Sequence, residues 1–200
     1  MGDDPSFAAR LEKSLSSSGE FCLSSSFPSG AAAIRSIPRA PPDLLLVEVQ
    51  LPDMPGAECV REFRALLPKL PIILLAEVVD AAVLFQALAA GAIGLVEKST
   101  PPDELLGHLR AALRGEAALS GAASHLVLGA FRQLGSLTPR DAQILSLLLA
   151  GKQYKEIAQE LGIEVSTVHT HLSRLFHKYE VHSWRDLVRK VLSPPGANPL

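Results

Sequence analysis

Three short apolar runs, residues 44–49, 71–75 and 93–97, alternate with stretches of helical periodicity. No other feature constrains the fold as tightly. The runs are too short for helices and too continuously apolar for strands with one wet face. They suit strands buried on both faces, with the intervening helices as cover. Residues 1–118 are therefore expected to form an α/β domain around a parallel sheet. Residues 6–18 carry Phe7, Leu11 and Leu15 at i, i+4 and i+8, and residues 57–67 carry Val60, Phe63 and Leu67 on one face before Pro68. Further helical patterns lie at 31–37, at 80–90 ending in Gly91, and at 102–114 with Pro and Asp in the first turn. A partly polar run at 20–27 is expected to add another strand.

The first run contains a charge, Glu48, near its end, followed by a turn rich in Pro and Gly. Reactive groups of open parallel sheets gather at the carboxyl ends of strands, so Glu48 is expected at the mouth of the sheet. Lys98 directly follows the third run, and Asp3 and Asp4 directly precede the first helix. If these four converge, the carboxylates suit a hard cation such as Mg²⁺, bound weakly at Asp3 and Asp4, and the ammonium suits a phosphate. A solvated acidic end is the alternative reading of Asp3 and Asp4.

Residues 119–136 are small and mixed and read as a linker with some helix. Residues 137–192 read as purely helical, and residues 193–200, beginning Ser193-Pro194-Pro195-Gly196, as a disordered tail. Thr138-Pro139-Arg140-Asp141 has the form of a helix start. Residues 155–163 read as a helix with a Gly-containing turn, and residues 164–178 as a second helix. Val168, Leu172, Leu175 and Phe176 form the buried stripe of that second helix. His169, Thr170, Ser173, Arg174 and His177 remain on its outer face, which carries donors and suits a major groove. A zinc site from His169, His171, His177 and His182 is disfavoured, because no cysteine joins them and His171 is expected to pack against its neighbours.

Charge divides along the same boundary. Residues 1–135 carry 11 basic and 15 acidic side chains; residues 136–200 carry 8 and 6, with four of the six histidines. A mildly basic tail on an acidic body points to a polyanion as partner of the tail. Cys22 and Cys59 cannot form a disulfide framework, which suits a reducing cytoplasm. The acidic start lacks signal-peptide character. The longest uncharged stretch, residues 81–96, is interrupted by Gln86, Gly91 and Gly94 and is shorter than the ~20 residues of a membrane-spanning helix.

Asp3-Asp4-Pro5, Leu51-Pro52-Asp53-Met54-Pro55-Gly56 and Lys98-Ser99-Thr100-Pro101 together resemble the receiver domain of bacterial response regulators. The resemblance implies a flavodoxin-like sheet with Glu48 at the phosphoacceptor position, where the family has Asp. It puts Ala76 at the switch Ser/Thr position and Leu95 at the switch aromatic, so the receiver is degenerate and ordinary phosphorylation is not expected. Glu48 then has two readings: a fixed negative charge holding an active arrangement, or a structural ion pair with Lys98. Only Met1 and Gly2 precede the acidic pair, too few for the family's central first strand. The favoured expectation is a start further upstream. The alternatives are direct pairing of residues 20–27 with 44–49, or cover by a second copy.

Residues 137–192 resemble the LuxR-type (NarL/FixJ) output domain through Leu137-Thr138-Pro139-Arg140-Asp141, the stretch Gly151-Lys152-Gln153-Tyr154-Lys155, and Ser166-Thr167-Val168-His169-Thr170-His171. The resemblance implies DNA contacts from Lys152, Lys155, Thr167, His169, Thr170, Ser173, Arg174 and Lys178. It also implies dimerisation through Leu187, Val188 and Val191 of the last helix, which in a monomer would simply close the bundle. Glu164 departs from the family's Ser cap.

Together these readings describe a cytoplasmic transcription regulator that binds double-stranded DNA as a homodimer, without cofactor, membrane or obligatory histidine kinase. RNA polymerase is a candidate partner. The alternatives are a protein-interaction adaptor that has lost DNA binding, and a Mg²⁺-dependent phosphoryl-transfer enzyme using Asp3, Asp4 and Glu48. The enzyme lacks an activated nucleophile and leaves residues 137–192 unexplained.

Overall fold

The structure is a computed structural model and describes residues 5–133, 137–150 and 152–192. Four strands, β1 (Leu45–Glu48), β2 (Ile72–Ala76), β3 (Gly94–Glu97) and β4 (Ala118–Leu119), form one sheet in the order β1-β2-β3-β4. Every pairing is parallel: Glu48 lies opposite Leu75, and Ala76 opposite Glu97. All five residues of β2 are buried, as a strand covered on both faces requires. The helices are α1 (Pro5–Ser18), α2 (Gly30–Ser36), α3 (Gly56–Leu66), α4 (Ala81–Ala89) and α5 (Pro102–Leu113), then α6 (Gly121–Gln133), α7 (Pro139–Leu149), α8 (Tyr154–Leu161), α9 (Val165–Lys178) and α10 (Trp184–Leu192).

The apolar periodicities fall where they were expected. Phe7, Leu11 and Leu15 of α1 are buried, as are Val60 and Phe63 of α3, while Leu67 just beyond α3 is half-buried. Asp80 caps α4 by accepting from the Val83 N–H, and Thr138 and Asp141 form the capping box of α7. Gly56 is needed at the start of α3, because a Cβ there would lie 2.1 Å from the Glu48 carbonyl oxygen.

Two expectations are corrected. Residues 20–27 form no strand and do not pair with β1. Ser24, Ser25 and Ser26 interrupt the apolar pattern and are exposed, and Leu23 is 42% exposed. Phe21 and Phe27 are half-buried and pack against the core without joining a ladder, and Glu20 pairs with Arg110 of α5 at 2.8 Å. Among the described residues, the second edge of β1 has no ladder partner. The second correction concerns the expected linker. Its first residue, Leu119, belongs to β4, and α6 packs into the core through Val127 and Phe131, both 0% exposed. Asp3, Asp4 and the expected tail at 193–200 lie outside the described residues.

His108 of α5 is 1% exposed, and among the described residues neither ring nitrogen has a hydrogen-bond partner. Burial lowers its pKa, against the opposing pull of Glu104, whose Oε1 lies 3.6 Å from Nε2. The folded state thus holds the ring neutral, whereas the unfolded chain takes up a proton near the ordinary value of ~6.5. Stability is therefore lost as pH falls from that value through the depressed folded-state pKa. Urea midpoints at pH ~7.5 and ~5.5 should show this loss, and His108→Leu should remove its share of the pH dependence.

Candidate functional site

The sheet brings Glu48 and Lys98 together as expected. Lys98 Nζ lies 3.0 Å from Glu48 Oε1 and 2.8 Å from Glu77 Oε1. The Lys98 side chain is 10% exposed and that of Glu48 13%, whereas that of Glu77 is 72% exposed. Burial disfavours the Lys98 cation, but hydrogen bonds to Glu77 and Glu48 more than offset it, so its pKa is raised. Below the mouth, Lys98 Nζ lies 5.7 Å from the centre of the Phe7 ring. Arg10 also reaches that ring, and donates from Nη2 to the Lys98 carbonyl at 2.8 Å. Glu77 and Arg10 were missed in the sequence. Glu77 had a usable signal, because it is the first residue beyond β2 and so lies at the same carboxyl edge as Glu48. Arg10 had none, since α1 periodicity does not reveal which loop lies across from it.

Ala76 and Leu95 sit in the ladder, 4% and 0% exposed. Ala76 has no hydroxyl to offer a group at the mouth, and Leu95 is packed inside the sheet. In the turn after β1, Asp53 accepts from the N–H groups of Gly30 and Ala31, both at 2.9 Å. This carboxylate is structural, tying the turn to α2.

The second cluster lies on α7, α8 and α9. Gly162, with φ +61°, makes the left-handed turn that ends α8, and α9 follows after Glu164, which makes no side-chain cap. Val168, Leu172 and Leu175 bury the inner stripe of α9, while Phe176 is half-buried. His169, Thr170, Ser173, Arg174, His177 and Lys178 are exposed; Thr167 is half-buried. The Thr170 hydroxyl donates to the Ser166 carbonyl at 2.9 Å, so outward it offers lone pairs rather than its proton. The His169 ring meets Tyr154 edge-on, with centroids 4.6 Å apart. His171 does pack against its neighbours: Nδ1 lies 2.7 Å from Asp141 Oδ1. Burial pushes the Asp141 carboxyl up, but the Thr138 hydroxyl and His171 pull it below its ordinary value. Arg140 donates to the Leu161 carbonyl at 2.8 Å, linking α7 to the end of α8. Lys155 is exposed on α8, while Lys152 pairs with Glu160. A cleft of about 370 Å³ runs beside α9, lined by Thr138, Asp141, Arg174, Leu175, His177 and Lys178.

A parallel sheet with an acid–lysine mouth, joined to a helix-turn-helix with an open outer face, defines a two-domain DNA-binding regulator. Residues 1–110 match the response regulator receiver domain, and residues 135–191 match the bacterial regulatory proteins of the luxR family. The chain belongs to the response regulators of this LuxR type. It is 31% identical over 159 residues to the transcriptional regulatory protein LiaR of Bacillus subtilis, covering 76% of this chain and 75% of LiaR. It is 28% identical to the probable transcriptional regulatory protein NarL of Mycobacterium tuberculosis, covering 90% and 87%. RcsB of Salmonella enterica serovar Typhimurium, solved bound to the rprA promoter, has a similar fold: TM-score 0.56, 23% identity, 96% of each chain covered. Among the described residues, no helix is long and apolar enough to cross a membrane.

Proposed function

We propose that this response regulator controls transcription from the cytoplasm without phosphorylation, with Glu48 as a permanent carboxylate in place of the phosphoacceptor. The observation that carries this reading is the commitment of Lys98 to Glu48 and Glu77. A phosphoryl group would need that ammonium, and Ala76 would give it no hydroxyl. No histidine kinase is then obligatory. In the DNA-bound form, His169, Thr170 and Ser173 face the bases with Thr167 beside them, while Lys152, Lys155, Arg174 and Lys178 face phosphates. RcsB structures solved on DNA, including one with two dimers on parallel DNAs, support duplex DNA as the ligand. The working form on a two-half-site promoter is a homodimer with RNA polymerase as the downstream partner; pairing through Leu187, Val188 and Val191 requires α10 to be uncovered first, because all three are buried where α10 packs against α4 and α6 of the same chain.

The test is to incubate the chain with acyl phosphate and Mg²⁺, then measure intact mass and affinity for promoter fragments. The expected result is salt-sensitive DNA binding that the phosphodonor leaves unchanged, with no mass gain. A stoichiometric gain of one phosphoryl group would overturn the phosphorylation-independent reading. Absence of any duplex binding at ~50 mM salt would overturn the DNA-binding one. Glu48→Gln separates the two roles of Glu48. A fixed activating charge predicts weaker DNA binding in this variant, and a purely structural pair predicts a change in stability alone.

A further inference from the structure

His169, Thr170 and Ser173 are not held alike on α9. The Thr170 hydroxyl is tied to its own helix through the Ser166 carbonyl. His169 instead meets a side chain from another helix, Tyr154 at the start of α8. The two rings stand edge-on, with centroids 4.6 Å apart and planes at 89°. This is a favoured arrangement of two aromatic rings, because the electron-poor edge of one is drawn to the electron-rich face of the other. Tyr154 is well placed to act as a fixed wall. It is half-buried and packs against the hydrophobic core. The first turn of α8 below it is secured where the Glu156 carboxylate accepts from the Gln153 N–H at 2.6 Å. Burial pushes the Tyr154 hydroxyl above its ordinary value, and the Glu116 carboxylate adds to the effect, so the phenol stays neutral. The His169 side chain itself is exposed. A ring contact of this kind fixes a side chain without a conventional hydrogen bond, so the imidazole keeps polar atoms for a base edge.

We propose that Tyr154 is a positioning residue for DNA reading: it holds the His169 ring in one orientation, so that His169 discriminates at one base pair of each half-site. An unsupported imidazole on an exposed helix face samples several rotamers, and ordering it on the duplex costs affinity for the matching base. With Tyr154 in place, that ordering is complete before DNA arrives. Thr170 and Ser173 carry no ring to share the contact, so the effect is confined to the base pair that His169 meets. Phosphate contacts from Lys155 and Arg174 set affinity for every duplex alike and are left as they were. This inference deepens the proposed DNA-binding role and rests on it for the base pair read. The ring contact is measured without DNA, so failure of DNA binding and failure of the contact are separate results.

The experiment uses the full chain as wild type, Tyr154→Leu, Tyr154→Phe, His169→Ala and the double variant Tyr154→Leu/His169→Ala. Proton NMR of the free proteins follows the His169 ring resonances, identified by their loss in His169→Ala. Tyr154→Leu should shift them, and Tyr154→Phe should leave them close to wild type. Duplexes that the wild type selects from a randomised pool are then varied one base pair at a time. The position read by His169 is the one that His169→Ala makes permissive. Wild type and Tyr154→Phe should discriminate there, and Tyr154→Leu should reduce that discrimination about three- to tenfold while keeping the other positions. In the double variant, Tyr154→Leu should add nothing to His169→Ala. Equal weakening on every duplex would overturn the proposal, because Tyr154 would then support α8 as a whole. Matching behaviour of Tyr154→Phe and Tyr154→Leu would overturn it too, because the hydroxyl rather than the ring would act. Ring resonances that Tyr154→Leu leaves in place also count against it, since the contact would not order the imidazole. If the wild type selects no duplex, the DNA-binding role fails and the reading step with it, while the resonances still decide whether α8 holds the ring. Should Tyr154→Leu lose helix content by circular dichroism, Tyr154→Met fills the site without a ring and carries the same comparison.

Discussion

Lys98→Met is expected to lower the melting temperature of the α/β half by on the order of 10 °C. Removing one member of a largely buried ion pair costs about 3 kcal/mol or more, because the remaining charge loses its partner without regaining water. Here the stranded group is Glu48, whose side chain is only 13% exposed. Glu77 should contribute little, since its side chain is 72% exposed and surface pairs are weak. The double variant Glu48→Gln/Lys98→Met should recover most of the loss, because a neutral mouth has no stranded charge. Glu48→Gln alone should cost less than Lys98→Met, as Lys98 keeps Glu77. Denaturant unfolding of the four proteins gives the coupling energy directly. A coupling near zero would mean that the mouth is wetter than the geometry implies, and would remove the argument that Lys98 is already occupied.

The second large effect lies on the reading face. Thr170→Ala and Ser173→Ala should each weaken binding to a specific duplex by about 10- to 100-fold while leaving non-specific binding nearly unchanged. Both side chains are exposed and neither supports the core, so the folded state should survive. Lys155→Ala should behave differently, weakening binding to every duplex and making the salt slope shallower by about 1. Lys152→Ala should have a smaller effect than Lys155→Ala, because Lys152 must first leave Glu160 before it can meet a phosphate. Fluorescence anisotropy on specific and scrambled duplexes across a salt series separates the two classes. If the alanine variants at Thr170 and Ser173 kept the same ratio of specific to non-specific affinity, α9 would not be the reading element.

The local elements were readable because their causes are local. The alternation of apolar runs and helical patterns determined β1, β2 and β3, and the inner stripe of α9 followed from a 3.6-residue period. The capping box at Thr138 and Asp141 was legible because both members lie within one turn. Glu48 and Lys98 could be brought to one edge on paper, since parallel strands fix which ends coincide. The reading failed where pairing decides. Residues 20–27 have partial strand character, but a strand exists only when another offers its backbone, and among the described residues β1 pairs only with β2. Ala118 and Leu119 are too few and too small to signal a strand, yet Gly94 leaves room for them against β3, opposite Ala118.

The sequence by itself determined a parallel α/β sheet, a helix-turn-helix with a polar outer face, and the absence of Asp, hydroxyl and aromatic at positions 48, 76 and 95. Those are matters of side-chain identity and short-range period. Only the tertiary structure decided how the groups are used. Glu77 comes to share Lys98 with Glu48, Glu160 comes to occupy Lys152, and the apolar stripe of α10 lies against α4 in the same chain. An amphipathic stripe specifies that a helix must be covered, but burial is non-directional and any apolar face of the right shape satisfies it. Which face lies against Leu187, Val188 and Val191 is therefore set by the path of the whole chain, and that path decides whether this surface is closed within one molecule or open to a second.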